Sequence, residues 1–237
     1  MRYLQILILP FTLLLLSACD SGDIYPVDKS NFGGLTCKIA LTFKHTSTWP
    51  SDYHVVLAAY QNDSEYSEIS KGISRQVEGD TLHLTMTDIP ESCQLVTIAI
   101  VNKSKRNVVN LMTHTIQASE RNERFIELGT QNVDLLAYER VQAQVFSNCT
   151  NCHGGSARAA AGLFLTEGKS YDALVNVSST KNPDKVLVSP GIPSNSFILD
   201  VLEGNAENVR YDHTNVSFNS ETEDLNLLKE WIKNLDK

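Results

Sequence analysis

The chain has 237 residues, 42% apolar and 20% charged, proportions of a folded body rather than a disordered segment. Twenty Lys and Arg against 28 Asp and Glu leave a formal net charge of -8, which argues against nucleic acid or an anionic membrane patch as a partner. The length suits one generous domain or two small ones.

The first elements concern export. Met1 and Arg2 precede "YLQILILPFTLLLLSAC", an apolar run too short for a comfortable bilayer span and placed as a secretory leader would be. Leu16-Ser17-Ala18-Cys19 resembles the lipobox of bacterial lipoproteins. That resemblance implies a signal peptide over 1–18, cleavage before Cys19, and acylation of the Cys19 thiol and its new amine. Several acyl chains together hold a protein firmly to a membrane. Membrane lipid is then a partner, and the protein is lipid-anchored in a bacterial cell envelope, facing the periplasm or the exterior. Asp20 resembles an inner-membrane retention signal of enteric lipoproteins, but that rule varies between bacteria, so either leaflet is open. Residues 19–34, "CDSGDIYPVDKSNFGG", read as a polar lipidated tether.

Residues 35–130 read as an all-β antiparallel sandwich. Alternating or β-rich runs cover 35–43, 53–60, 81–87, 93–101 and 107–116, with "RFIEL" closing the region at 124–128. A small barrel is the alternative. Asn, Asp, Ser, Gly and Pro bound each run, and no helical period lasts long enough for βαβ units. Trp49, before Pro50, is either a loop residue covering the sandwich or an aromatic for binding. The domain's expected role is to space, dock, or bind protein or polysaccharide.

The pattern changes near Asn132. "VDLLAYERVQAQVF" has helical spacing and runs into "SNCTNCHGG". Short helices are expected over 170–177 and 194–202. A final helix carries the stripe Leu225, Leu228, Ile232 and Leu235 with Trp231 at its edge. Ser220 is its expected N-cap and Glu223 the capping-box partner. Residues 132–237 therefore read as a second, all-α domain, small enough that a bulky apolar cofactor would help fill its core.

Cys149-x-x-Cys152-His153 has the spacing of covalent haem attachment. Two thiols reach the two vinyl groups on one porphyrin edge, and the next residue turns its imidazole onto the iron. A thioredoxin-like CxxC would sit in a βαβ setting, and a closed zinc site would need further ligands. Lipid on Cys19 and haem on Cys149 and Cys152 would leave Cys37 and Cys93 as an even pair among the five cysteines. In an exported protein they are a candidate structural disulfide, worth about 2–4 kcal/mol, or else two buried thiols.

Further pieces make residues 135–236 resemble the cytochrome c family, in particular bacterial monohaem domains borne on lipoproteins. They are Phe146 before the motif, Gly154-Gly155 after it, Gly162-Leu163-Phe164-Leu165, Val188-Ser189-Pro190-Gly191-Ile192-Pro193-Ser194-Asn195-Ser196, and Trp231-Ile232. The resemblance implies a cytochrome c-like all-α domain with one covalent haem c, His153 as proximal axial ligand, and Phe146, Leu163 and Pro190 among the pocket residues. It implies an electron-transfer protein with a redox partner, not an enzyme. The family's distal methionine is missing: the chain has three Met, none beyond Met112. His213 is the only imidazole in the corresponding stretch and is the expected distal ligand, with Lys181, Lys185, Asn195 and Tyr211 behind it. The alternatives are an open iron site that binds or senses a small ligand, and a substrate- or protein-binding lipoprotein whose haem is an accessory.

Overall fold

The computed structural model describes residues 33–155, 157–215 and 221–236. The leader, Cys19, most of the tether and the Ser220 cap lie outside the described residues. No helix among the described residues is long and apolar enough to cross a membrane.

Seven strands among the described residues form two sheets. β1 (Leu35–Lys44) lies between β4 (Leu82–Ile89) and β7 (Phe125–Asp134). The second sheet has the order β3 (Ile69–Ile73), β2 (His54–Tyr60), β5 (Leu95–Val101), β6 (Asn107–Thr115). Alternation in β1 puts Leu35, Cys37, Ile39, Leu41 and Phe43 on one buried face, as a period of two requires. These side chains join Val55, Leu57, Ile98, Ile100 and Ile126 in a core shared by the two sheets. The two sheets face one core, but the expected all-antiparallel sandwich is overturned. β4 runs antiparallel to β1, whereas β7 runs parallel to it, from Thr36 opposite Phe125 to Lys44 opposite Asp134. β3 escaped the sequence reading because its burial pattern is mostly exposed and lacks an apolar alternation.

Cys37 and Cys93 both lie in this core with no exposed surface, and both are free thiols. The expected disulfide is thus not formed in this structure. Cys37 faces its neighbours from the middle of β1, opposite Met86 and Ile126, while Cys93 sits just before β5. Burial first, then Glu120 and Glu127, push the Cys37 thiol up to about 12.

The expectation of two domains with an all-α C-terminal half is overturned. Residues 34–237 form one compact unit. β7 extends to Asp134, past the boundary expected at 132, because Asn132, Val133 and Asp134 pair with β1. Asp134 Oδ1 then accepts the Leu136 N–H at 2.7 Å and meets His45 Nδ1 at 2.7 Å, which turns the chain out of the sheet. The helices beyond are short: α1 (Ala118–Glu123) precedes β7, and α2 (Tyr138–Gln144), α3 (Thr150–His153), α4 (Ser170–Leu174) and α5 (Phe197–Leu202) follow it. Among the described residues only α6 (Glu221–Asn234) exceeds two turns. Between them, 3-10 turns and isolated bridges such as Val175–Val188 and Val186–Ser196 carry the backbone bonds. Gly and Pro at 190, 191 and 193 make a continuous helix untenable there.

What welds the halves is a buried charge. Arg140 on α2 has no exposed surface. Its Nη1 donates to the carbonyls of Thr48 and Leu135, both at 2.8 Å, and its Nε donates to Gln144 Oε1. Glu223 Oε1 lies 3.5 Å from Nη2. The capping box expected between Ser220 and Glu223 lies outside the described residues on the Ser220 side. Glu223 Oε2 accepts from the backbone N–H groups of Ser51 and Asp52 and from the Ser51 hydroxyl, at 2.7–2.9 Å. Desolvation pushes the guanidinium down to about 10, against the pull of Glu223 and Asp224, so it stays charged at neutral pH. Asp224 faces this charge, and the buried stripe of α6 becomes Asp224, Leu227, Leu228, Trp231 and Ile232, with Leu225 and Leu235 half-buried.

Breaking this network strands a buried carboxylate. Arg140→Ala is expected to lose about 3–5 kcal/mol by denaturant unfolding, while the wild type unfolds in one transition through both halves. A second expectation concerns alkaline pH. A buried thiol whose folded value is raised lets the unfolded state ionise first, so its contribution is present below pH 9 and lost as pH rises towards about 12. The denaturation midpoint should fall over that window, and less steeply in Cys37→Ala.

Candidate functional site

The CxxCH motif is presented by a continuous helical run. α2 buries Arg140, Val141 and Gln144 on one face and passes into a 3-10 turn over Phe146–Cys149, then into α3. Phe146 is buried at the end of that face and belongs to a second core with Val141, Leu165, Leu174, Val188, Leu228, Trp231 and Ile232. Cys149 and Leu163 pack at its edge. Anchored through Arg140 at one end and Phe146 at the other, the run holds the three motif residues at the protein surface.

Cys149 is half-buried. Burial pushes its thiol up to about 11, with a smaller push from Cys152. Cys152 is exposed and His153 half-buried. Gly154 ends α3 at a place where a Cβ would collide with the Thr150 carbonyl, and a Cβ on Gly155 would meet the Arg158 carbonyl. The glycine pair following the histidine therefore answers to a tight backbone return. That return closes when Leu165 N–H donates to the His153 carbonyl at 2.8 Å.

His153 Nδ1 lies 3.1 Å from the Leu163 carbonyl oxygen. A carbonyl only accepts, so Nδ1 carries the proton and Nε2 keeps its lone pair. The Gly162–Leu165 segment thus supplies the acceptor that the sequence left unnamed. His213 repeats the arrangement: its Nδ1 donates to the Tyr211 carbonyl at 2.8 Å, again leaving Nε2 as the basic nitrogen. His213 sits in a 3-10 turn whose entry is held by Asp212 Oδ1, which accepts from Thr214 N–H at 2.9 Å and from its hydroxyl at 2.6 Å.

These two histidines, 60 positions apart in sequence, come together. Their ring centroids are 6.3 Å apart with planes 32° from parallel. An imidazole nitrogen binds a metal at about 2 Å and lies roughly 1 Å from its ring centroid, so two imidazoles sharing one metal have centroids about 6 Å apart. The other candidates are placed differently. Lys185 Nζ is held by Asp200 at 2.7 Å and by the Ser194 carbonyl at 3.0 Å, and the Asn195 amide donates to Ser189 Oγ at 3.3 Å. Lys181 and Tyr211 are exposed, Tyr211 standing edge-on to His213 with centroids 5.3 Å apart. Among the described residues no three His, Cys, Asp or Glu side chains converge as a metal cluster.

The proline-rich stretch backs this region. Val188 and Pro190 are buried, Gly191 N–H donates to the Ile232 carbonyl at 2.9 Å, and the Ser196 hydroxyl accepts from Ser189 N–H at 2.9 Å. Trp49 packs edge-on against Phe43 at 5.1 Å and is half-buried. The residues that sequence reasoning missed are Arg140 and Leu163 O. An arginine inside an amphipathic helix carries no signal of burial, and a backbone carbonyl carries none at all.

No family model, curated protein or solved structure matches the chain.

The backbone return at the motif is testable without any cofactor. In haem-free protein Gly154→Ala is expected to lower stability by about 1–3 kcal/mol, since the obstructing atom is backbone and cannot step aside. Gly72→Ala, where nothing lies within 4 Å of the added carbon, should stay within about 0.5 kcal/mol of wild type in the same denaturation assay.

Proposed function

We propose that the chain is a c-type cytochrome, lipid-anchored through Cys19 in a bacterial cell envelope, that passes single electrons to and from a redox partner protein. The observation that carries this reading is the paired imidazoles of His153 and His213 beside Cys149 and Cys152. Both rings are oriented through Nδ1, both keep Nε2 basic, and their centroids stand 6.3 Å apart, about the centroid distance of two imidazoles on one metal.

The residues present fit haem c. Cys149 and Cys152 would hold the porphyrin as thioethers, with His153 and His213 as axial ligands. Two converging imidazoles without a third protein donor among the described residues suit an iron whose equatorial positions are filled by a porphyrin better than a bare ion. When bound, the haem supplies a one-electron iron couple. Leu163 O and Tyr211 O keep a proton on each Nδ1 and so strengthen the Nε2 donors. Phe146 lies in the core against which Cys149 and Leu163 pack, so apolar side chains back the thiol side of the site, and Pro190 is buried. Imidazole does not favour reduced iron as thioether sulfur does, so the potential should lie below that of a His/Met relative. If His153 and His213 both held the iron, neither would leave a place for peroxide or a gas, which favours electron transfer over catalysis.

The test is the mature protein co-produced with haem-attachment machinery. Wild type is expected to show low-spin bis-imidazole optical and EPR spectra and a C-terminal peptide heavier by one porphyrin. His213→Ala should turn the spectrum high-spin while keeping the covalent haem, and His213→Met should raise the potential. Unaltered low-spin spectra in His213→Ala would remove His213 from the iron. Two free sulfhydryls at Cys149 and Cys152 after competent maturation would remove the haem.

A further inference from the structure

His153 is oriented by a carbonyl from a stretch of backbone, Leu163 to Leu165, that belongs to no sheet or helix. Leu163 leaves a 3-10 turn over Ala160–Gly162 in an extended conformation, its N–H donating to the Ala160 carbonyl at 3.1 Å. Beyond that turn the backbone of the stretch faces the α2–α3 run. Leu163 O meets His153 Nδ1 at 3.1 Å, Leu165 N–H donates to the His153 carbonyl at 2.8 Å, and Leu165 O accepts from Gln142 Nε2 at 3.0 Å. The first two bonds join the stretch to the histidine itself, so they cannot fix one against the rest of the molecule. Burial of the Leu165 side chain locates that residue but does not set the direction of its peptide groups. Gln142 does, from the same helix that carries Arg140.

The donors around Gln142 allow one arrangement. A carbonyl only accepts, so Leu165 O requires the amide nitrogen, and the amide oxygen is left to face the Ser170 hydroxyl, which donates to it. Having given its proton, Ser170 Oγ accepts from the Tyr138 hydroxyl at 2.7 Å. Tyr138 and Gln142 stand four positions apart on α2 and so share a face, while Ser170, with no exposed surface, opens α4 beside them. We propose that Gln142 is a positioning residue for His153: fixed in one amide orientation by Ser170, it clamps the Leu165 carbonyl and thereby holds the Leu163 carbonyl in line with His153 Nδ1. The consequence for iron rests on the haem reading above, whereas the clamp itself is a property of the chain without haem. A firmly held acceptor on Nδ1 strengthens Nε2 as a donor, so the clamp lowers the potential of a haem bound there.

The experiment records nitrogen–proton correlation spectra of the His153 ring and the exchange rate of the Leu165 amide in the haem-free full chain, at mildly alkaline pH where an imidazole is neutral. It also measures the potential of protein co-produced with haem-attachment machinery. Wild type is expected to carry the ring proton on Nδ1. Gln142→Leu, similar in size but without polar atoms, should shift the ring towards the Nε2–H form, speed Leu165 exchange about tenfold, and raise the potential after haem attachment. Gln142→Glu keeps an acceptor for Ser170 but sets an oxygen against the Leu165 carbonyl. It should shift the ring in the same way, so it decides the matter even where Gln142→Leu fails to fold. Tyr138→Phe removes only the outermost bond and should leave the ring unchanged, whatever it does to stability. The proposal is overturned if Nδ1 keeps its proton in the Gln142 variants, if Tyr138→Phe moves the ring as far as they do, or if loaded Gln142→Leu keeps the wild-type potential. Should no porphyrin attach to wild type, the haem reading fails, and the ring spectra and amide exchange still decide the clamp.

Discussion

A guanidinium with no access to water has to be surrounded by acceptors, and Arg140 gathers them from four separate elements of the chain. The loop after β1 contributes the Thr48 carbonyl, the exit from β7 contributes the Leu135 carbonyl, α2 contributes Gln144, and α6 contributes Glu223. Moving any one of these elements away would leave an ion buried without compensation, a loss far larger than the net value of a surface pair. This is why the β layers and the short helices behave as one body. It also explains a carboxylate at position 224 within the buried stripe of α6, where an apolar residue would otherwise be expected.

The same constraint reaches the motif. α2 cannot rotate without disturbing Arg140, and Val145, Phe146 and Cys149 continue directly from it. Cys152 and His153 on so short a turn would otherwise be poorly held, because α3 is a single turn and makes little structure by itself. The carbonyls of Leu163 and Tyr211 extend this ordering to the imidazoles, each by one hydrogen bond to a group that can only accept.

A cleft between the loop after β1 and α6 follows from the seam as well. Joining the loop after β1 to α6 through a few long polar side chains leaves space between them that apolar packing would have closed. Glu223 illustrates the compromise: one oxygen is saturated by the Ser51–Asp52 loop, and the other is turned towards Arg140 at more than hydrogen-bonding distance.

The amino-acid sequence by itself determined the β-runs of the first half, because period-two burial is written in residues such as Leu35, Cys37, Ile39, Leu41 and Phe43. It also contained the CxxCH spacing and the lack of a local methionine, since both are covalent facts about neighbours in the chain. It singled out His213 by elimination alone. It misread the second half as an independent helical domain because helical spacing in 133–146 says nothing about strand pairing, and Asn132 to Asp134 are strand only through β1. The sandwich was read as fully antiparallel because strand direction is a property of pairs, not of segments. Only the tertiary structure decided that Arg140 is buried, that Glu223 reaches the Ser51 loop, and that His153 and His213 stand 6.3 Å apart. Those are relations between residues tens of positions apart, and local patterns of hydrophobicity hold no information about which distant partner a polar group will meet.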